Sequence, residues 1–332
     1  MGLFLIGAGF NVDAARESCP VYGNSMYVGR YQMDCGYPLV SDVARLCFGL
    51  AQVPTGKSIE GLFSEYLDRE DYAPLEKLVE RLMEADFRLA TKLASSDTSN
   101  CYRKFFDRFK GANFLTFNYD SLPEVFLFRL RRWYPHDGYG LPVEVELSPL
   151  QANQFGNLKS ACLVLHLHGS FCVYTSEFEI RGNPSDSTAW LERLEGPRYA
   201  FDPDSISLCF AGYRRGMSAT GRVPIEERVI APIPDKAQEL KQPFINATYA
   251  KACSLVRESG TLVAIGYSFN PYDRASYGPI LKALCESGDR KLLVVSPQAC
   301  YLAETIRAEY PSLQVTPIDK TFKAWAEDSF GY

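Results

Sequence analysis

Six short runs of Val, Ile, Leu and Phe, each closed by a turn residue, punctuate this chain: Gly2–Ile6, Asn113–Phe117, Cys162–Leu167, Thr261–Ile265, Lys291–Val295 and Leu313–Pro317. Strands this short and this uniformly apolar must be buried on both faces, which is the state of parallel strands covered by helices. Helical patterns at Ala275–Glu286 and Tyr301–Glu309 separate the later runs. Strand alternating with helix needs crossover connections, and these lay helices on both faces of one sheet. The expected fold is therefore α/β, a doubly wound parallel sheet.

Two stretches break the alternation. From Tyr37 to Lys110, apolar residues recur at three- and four-residue spacing in Ile59–Leu67, Leu75–Leu93 and Tyr102–Phe109, so residues 37–110 are expected to form an inserted helical subdomain. From Thr175 to Pro243 the chain is rich in Gly, Pro, Arg and Asp. Residues 175–243 are therefore expected to form a second, loop-rich insertion or lid. Residues 1–36 and 111–332 make up the expected core domain, with that second insertion inside it.

Charge and cysteine usage exclude several function classes. With 35 Lys and Arg against 40 Asp and Glu, the net charge is −5. Non-specific nucleic-acid affinity rests on clustered cations, so direct nucleic-acid binding is not expected. The short basic stretch Arg129–Arg132 reads as the solvated face of a helix. No apolar run approaches the roughly 20 residues of a membrane span. Gly2–Ile6 is too short for the apolar core of a signal peptide and runs straight into Gly7, so the expected compartment is the cytoplasm. Ten cysteines are scattered without one Cys-x-x-Cys pair, so neither a disulfide framework nor a metal site is expected.

The polar residues at the ends of the apolar runs carry the chemistry. Gly7-Ala8-Gly9-Phe10-Asn11 follows the first run and leads into a helix-like stretch. Glycines there allow a tight turn and close approach of backbone to a phosphate, though a plain strand-to-helix turn has the same composition. Thr116-Phe117-Asn118-Tyr119-Asp120 closes the second run, where Asn118 could orient a water or a ribose hydroxyl, or where Asn118 or Asp120 could simply cap the next helix. His166-Leu167-His168-Gly169-Ser170 closes the third and holds two of the chain's three histidines. Imidazole titrates near neutrality and suits acid–base work. His168, next to a glycine at the strand's edge, is the catalytic candidate, and His166, one step deeper, is read as structural. His136 lies in a turn and is assigned nothing. Gly266-Tyr267-Ser268 closes the fourth run and Ser296 the fifth, where small and hydroxyl residues could contact phosphate and ribose. Asp273 opens a helical pattern and reads as its cap.

Taken together and in this order, these motifs resemble the sirtuin family. Gly7-Ala8-Gly9 with Asn11 resembles its opening motif, and Thr116-Phe117-Asn118-Tyr119-Asp120 its Thr-Gln-Asn-Ile-Asp. Leu167-His168-Gly169-Ser170 is similar to the stretch with the catalytic histidine, Gly266-Tyr267-Ser268 to its Gly-Thr-Ser, and Ser296 falls where the family binds the adenine-side ribose. Asn-Tyr-Asp, Leu-His-Gly-Ser and Gly-Tyr-Ser, together with the Pro-containing Ala231–Lys236, are closer to a divergent bacterial branch than to the deacetylases, whose four-cysteine zinc module is missing. That branch implies a Rossmann-like domain and an NAD hydrolase that depletes NAD in anti-phage defence. Asn118 and His168 would be its catalytic residues. Gly7, Ala8, Gly9, Phe10, Asn11, Asp120, Gly266, Tyr267, Ser268 and Ser296 would hold NAD, which is substrate, with no metal. Two other readings use the same pocket: an NAD-dependent protein deacylase, and a non-catalytic module sensing NAD or ADP-ribose. The resemblance also implies a homo-oligomer, or a partner in trans such as a DNA-translocating ATPase or an Argonaute-like protein.

Overall fold

The computed structural model of the chain describes residues 2–11, 26–28, 31–33, 40–82, 100–145, 157–170, 172–181, 190–201, 222–224, 233, 236, 238–328 and 330. The strands, in chain order, are β1 (Leu3–Ile6), β2 (Met26–Val28), β3 (Tyr31–Met33), β4 (Asn113–Thr116), β5 (Val164–His166), β6 (Val173–Arg181), β7 (Trp190–Phe201), β8 (Arg222–Pro224), β9 (Thr261–Ile265), β10 (Lys291–Val295) and β11 (Gln314–Ile318). The helices used below are α1 (Val40–Phe48), α2 (Ile59–Leu67), α3 (Asn100–Arg108), α4 (Leu122–Arg129), α5 (Pro135–Gly138), α6 (Pro243–Ser259), α7 (Arg274–Cys285), α8 (Ala299–Glu309) and α9 (Phe322–Glu327).

Six strands form one all-parallel sheet in the order β11–β10–β9–β1–β4–β5. The chain winds outward from β1 through β4 to β5, then returns to the other side of β1 for β9, β10 and β11. The two directions part between β1 and β9. In doubly wound sheets a crevice opens at that place, beyond the carboxyl ends of the strands. The fold is thus the Rossmann-like α/β sheet expected, with small shifts at strand ends: β1 begins at Leu3, β5 covers only Val164–His166 and β11 runs to Ile318.

Two-residue alternation sends Phe4 and Leu5 to opposite faces of the sheet. On the first face, Phe4 meets Phe105 of α3 edge-on at 5.1 Å and stacks on Phe114 at 5.6 Å, while Phe10 packs against Phe322 of α9 at 4.3 Å. The other face carries Leu5, Leu115 and Leu165, and Leu165 approaches α6. Helix α6 buries Phe244, Ile245, Tyr249, Ala252 and Val256 and stops at Gly260, whose φ of +65° gives the left-handed turn that ends it.

In the expected helical insertion, α1, α2 and a helix over 73–82 enclose an apolar cluster of their own that includes Val43, Leu62, Phe63 and Leu78. The remainder of the Leu75–Leu93 pattern lies outside the described residues. Helix α3 belongs elsewhere: Tyr102, Phe105 and Phe106 are fully buried in the main core. The second insertion holds longer strands than its composition suggests. β6 and β7, of 9 and 12 residues, pair antiparallel with β8 on the other edge of β6. The register slips between Ser176 and Phe178, so residues 194–197 of β7 bulge. Pro197, which has no N–H for a ladder, sits in that bulge. The hairpin is tied to the core through Glu144, which donates to Tyr199 O at 2.8 Å and accepts from Phe201 N at 2.9 Å. Most of the rest of 175–243 lies outside the described residues. No helix among the described residues is long and apolar enough to cross a membrane.

Candidate functional site

The turn after β1 and the turn after β9 touch through their backbones. Gly7 N donates to Ile265 O at 3.0 Å and Gly9 N to Gly266 O at 2.8 Å. Only glycine permits this approach. A Cβ on Gly7 would lie 2.6 Å from Tyr267 Cα, one on Gly9 2.9 Å from Gly266 Cα, and one on Gly266 2.3 Å from Phe10 N. Gly266 also sits at φ +62°, and Phe269, a little further along the same loop, at φ +48°. The left-handed conformation costs a non-glycine residue about 1–2 kcal/mol, so this loop is held in an uncommon shape by its surroundings. The N–H of Gly9 is spent inside the protein, so the glycines serve chiefly to bring the two turns together. Ala8 and Ser268 are exposed at the outer edge of the crevice.

Behind this edge, Asn118 is held from several sides. Its backbone N–H donates to Thr116 Oγ1 at 3.0 Å, and its side-chain Nδ2 to Gly7 O at 3.2 Å. Its carbonyl faces His166 Nδ1 at 3.1 Å, and His166 Nε2 lies 2.6 Å from Glu124 Oε1, both side chains being fully buried. Burial disfavours the charged form of His166, but the charge and hydrogen bond of Glu124, with help from the Asn118 carbonyl and Asp120, outweigh it and raise its pKa. His166 is therefore the structural histidine. Asn118 Oδ1 has no partner among the described residues and remains an available acceptor.

Asn11 and Asp120 form the next layer. Asn11 Nδ2 donates to Asp120 Oδ2 at 2.6 Å, and Leu122 N donates to Asp120 Oδ1 at 3.1 Å. Asp120 thus caps the chain entering α4, one of the roles its position allowed, and also binds the first turn. Burial pushes its carboxyl up to about 6, against the pull of Leu122 N–H and Asn11. The Asn11 Oδ1 atom is buried without a hydrogen-bond partner among the described residues. Phe10 takes no polar role. Its ring fills the core and its carbonyl accepts from the Tyr102 hydroxyl.

His168 lies across the crevice, 4% exposed. Its ring packs on Phe117 at 4.8 Å, and Phe117 in turn stacks on Tyr267 at 4.6 Å. Nε2 is 2.9 Å from Ser276 Oγ. Burial, and then the positive charge of Lys236, hold the His168 pKa well below its ordinary value. The ring is neutral at physiological pH.

The structure therefore gathers Gly7, Gly9, Asn11, Asn118, Asp120, His168, Gly266 and Tyr267 at one edge of the sheet. Ser296 lies one strand further out, at the end of β10, where its hydroxyl accepts from Gln298 N at 3.2 Å within its own turn. The roles of three residues escaped the sequence reading. Asp273 stands at the N-cap position of α7 but makes no side-chain capping bond. Its carboxylate instead pairs with Lys236, which is 2% exposed. Ser276, in the first turn of the same helix, reaches His168. A serine and an aspartate opening a helix look like caps in sequence, and only the fold brings them to His168. His136 bonds Leu158 O at 2.7 Å, away from the site. Among the described residues no three His, Cys, Asp or Glu side chains come together as a metal site. No protein-family model matches the chain, and no curated protein matches it.

Proposed function

We propose that the chain hydrolyses NAD at the bond between nicotinamide and ribose, as its motif-level resemblance to the divergent bacterial sirtuin-like branch implies. The observation that carries this reading is that Asn118, whose Oδ1 has no partner among the described residues, and a neutral His168 follow the neighbouring strands β4 and β5 at one edge of the sheet, beside the reversal of winding between β1 and β9. A dinucleotide laid across that crevice runs past Gly7, Ala8 and Gly9 on one side and Gly266, Tyr267 and Ser268 on the other, with the adenosine end toward Ser296.

Cleavage breaks the C1′–N1 bond, and its electron pair neutralises the nicotinamide ring. An oxocarbenium-like ribose then takes the oxygen of a water, whose proton leaves. Asn118 Oδ1 accepts from that water or from a ribose hydroxyl and places it. His168, being neutral, acts as a hydrogen-bond partner or proton acceptor without opposing the positive charge on the sugar. Asp120, behind Asn11 and Asn118, adds negative potential when ionised. The products are nicotinamide, ADP-ribose and a proton.

In the cell such an activity would deplete NAD as an anti-phage effector in the cytoplasm. It would be restrained until triggered by homo-oligomerisation or by a partner in trans of the ATPase or Argonaute-like kind. The test is chromatography of NAD incubated with the protein, with and without an acylated peptide. Nicotinamide and ADP-ribose in equal amounts without peptide is the expected result. Turnover only with peptide would make the chain a deacylase, and binding without turnover would make it a sensing module.

A further inference from the structure

Lys236 is buried and paired with the partly exposed Asp273, and an ammonium taken out of water loses several kcal/mol, which its partner only partly returns. Asp273 makes no capping bond to α7, and the Lys236 that it holds acts on His168 through its charge. Ser276, fully buried, presents Oγ to the ring from the same helical turn. Nearby, the buried hydroxyls of Tyr249 and Tyr267 approach Ser276 and Asp273 respectively, and both feel the charge of Asp273. The first turn of α7, the segment before α6 and the turn after β4 therefore all bring polar groups to a single imidazole. The ionisable groups at that imidazole among the described residues are Lys236 and Tyr119.

We propose that Ser276 and Lys236, the latter anchored by Asp273, are positioning residues for His168: Ser276 accepts from Nε2–H, so that Nδ1 presents its lone pair to the substrate, and Asp273 fixes the Lys236 ammonium in place. This rests on the NAD-cleavage reading for what the ring does, though not for how the ring is held. Nδ1 has no partner among the described residues, as the assignment needs. The tautomer of a histidine follows from the bond its other nitrogen makes. Asp273 anchors Lys236, whose ammonium adds to burial in disfavouring a positive charge on the ring.

Only three histidines occur in the chain, so nitrogen-15 NMR of tag-free, histidine-labelled protein resolves each ring. In the wild-type protein His168 is expected to show one tautomer, protonated at Nε2, and no titration near the ordinary midpoint of about 6.5. Ser276→Ala should mix the tautomers and lower NAD turnover about 10- to 100-fold with KM within about twofold, the usual effect of losing a supporting hydrogen bond. Ser276→Thr should restore both. The double variant Lys236→Met with Asp273→Asn removes both charges while keeping shape, and should move the His168 titration upward. Unchanged tautomer in Ser276→Ala, or an unmoved titration in the folded double variant, would overturn the proposal. So would an ADP-ribosyl adduct on Ser276, which would make it a nucleophile. The ring signals need no substrate. If they respond as expected while NAD stays intact, the positioning stands and the NAD reading falls.

Discussion

Glu124→Ala removes the buried support behind Asn118. Glu124 and His166 are both fully buried, Oε1 lies 2.6 Å from Nε2, and the other ring nitrogen lies 3.1 Å from the Asn118 carbonyl. Taking away one partner of such a pair leaves the other uncompensated in a dry interior, at a cost of about 3–5 kcal/mol. An unfolding entropy of about 2.1 cal/mol/K per residue amounts, over 332 residues, to about 0.7 kcal/mol/K, so Tm should fall by about 4–7 °C. Glu124→Gln keeps an acceptor of the same shape and should cost about 1 kcal/mol, under about 2 °C. The pH dependence has a definite sign. Because the folded-state pKa of His166 is raised, its contribution is full below the unfolded value of about 6.5 and fades as pH rises through the folded value. The gap between Glu124→Ala and wild type, read by scanning calorimetry, should therefore be wider at pH 6 than at pH 9. A Glu124→Ala protein that melts within about 1 °C of wild type at both pH values would refute this account of the pair.

Further predictions follow from the same geometry. Gly266→Ala places a Cβ 2.3 Å from Phe10 N at φ +62°, so it should lower stability by about 1–2 kcal/mol for the conformation alone and abolish NAD binding. Calorimetric titration with NAD checks this, and wild-type affinity would count against the crevice as the binding place. Asp120, with its carboxyl near 6, should give NAD turnover an acid limb of similar midpoint that disappears in Asp120→Asn. Its folded pKa exceeds the unfolded value, so its contribution to stability is full below about 3.9 and lost as pH rises through about 6. Asp120→Asn should accordingly gain stability relative to wild type between pH 4 and 7 in denaturant titrations.

Much of the fold was readable because its strands are uniformly apolar and sharply closed. Thr261–Ile265 and Lys291–Val295 match β9 and β10 residue for residue, each ending at a Gly or Ser where the ladder stops. β6 and β7 were hidden. Charged residues in Val173–Arg181 and Trp190–Phe201, with Gly196 and Pro197 in the bulge, read as loop when the strands belong to a small sheet. The motif ends foretold where Asn118 and His168 would stand, since parallel strands place their last polar residues along one edge. The pairing of Lys236 with Asp273 was not foretold. The two lie 37 positions apart, and α6 and β9 intervene, so only the crossover brings them together. The same holds for Asn11 and Asp120, 109 positions apart, whose contact depends on β1 lying beside β4.

The central claim is that this chain cuts NAD with Asn118 and His168. Its most direct test is the rate of nicotinamide release from NAD by the wild-type protein, measured beside folded Asn118→Ala and His168→Ala. The account predicts release by the wild type, with a loss of about 100-fold or more in each variant. A variant that keeps the wild-type rate, or a wild-type protein that binds NAD and leaves it whole in the presence of its own oligomer and partners, would contradict it.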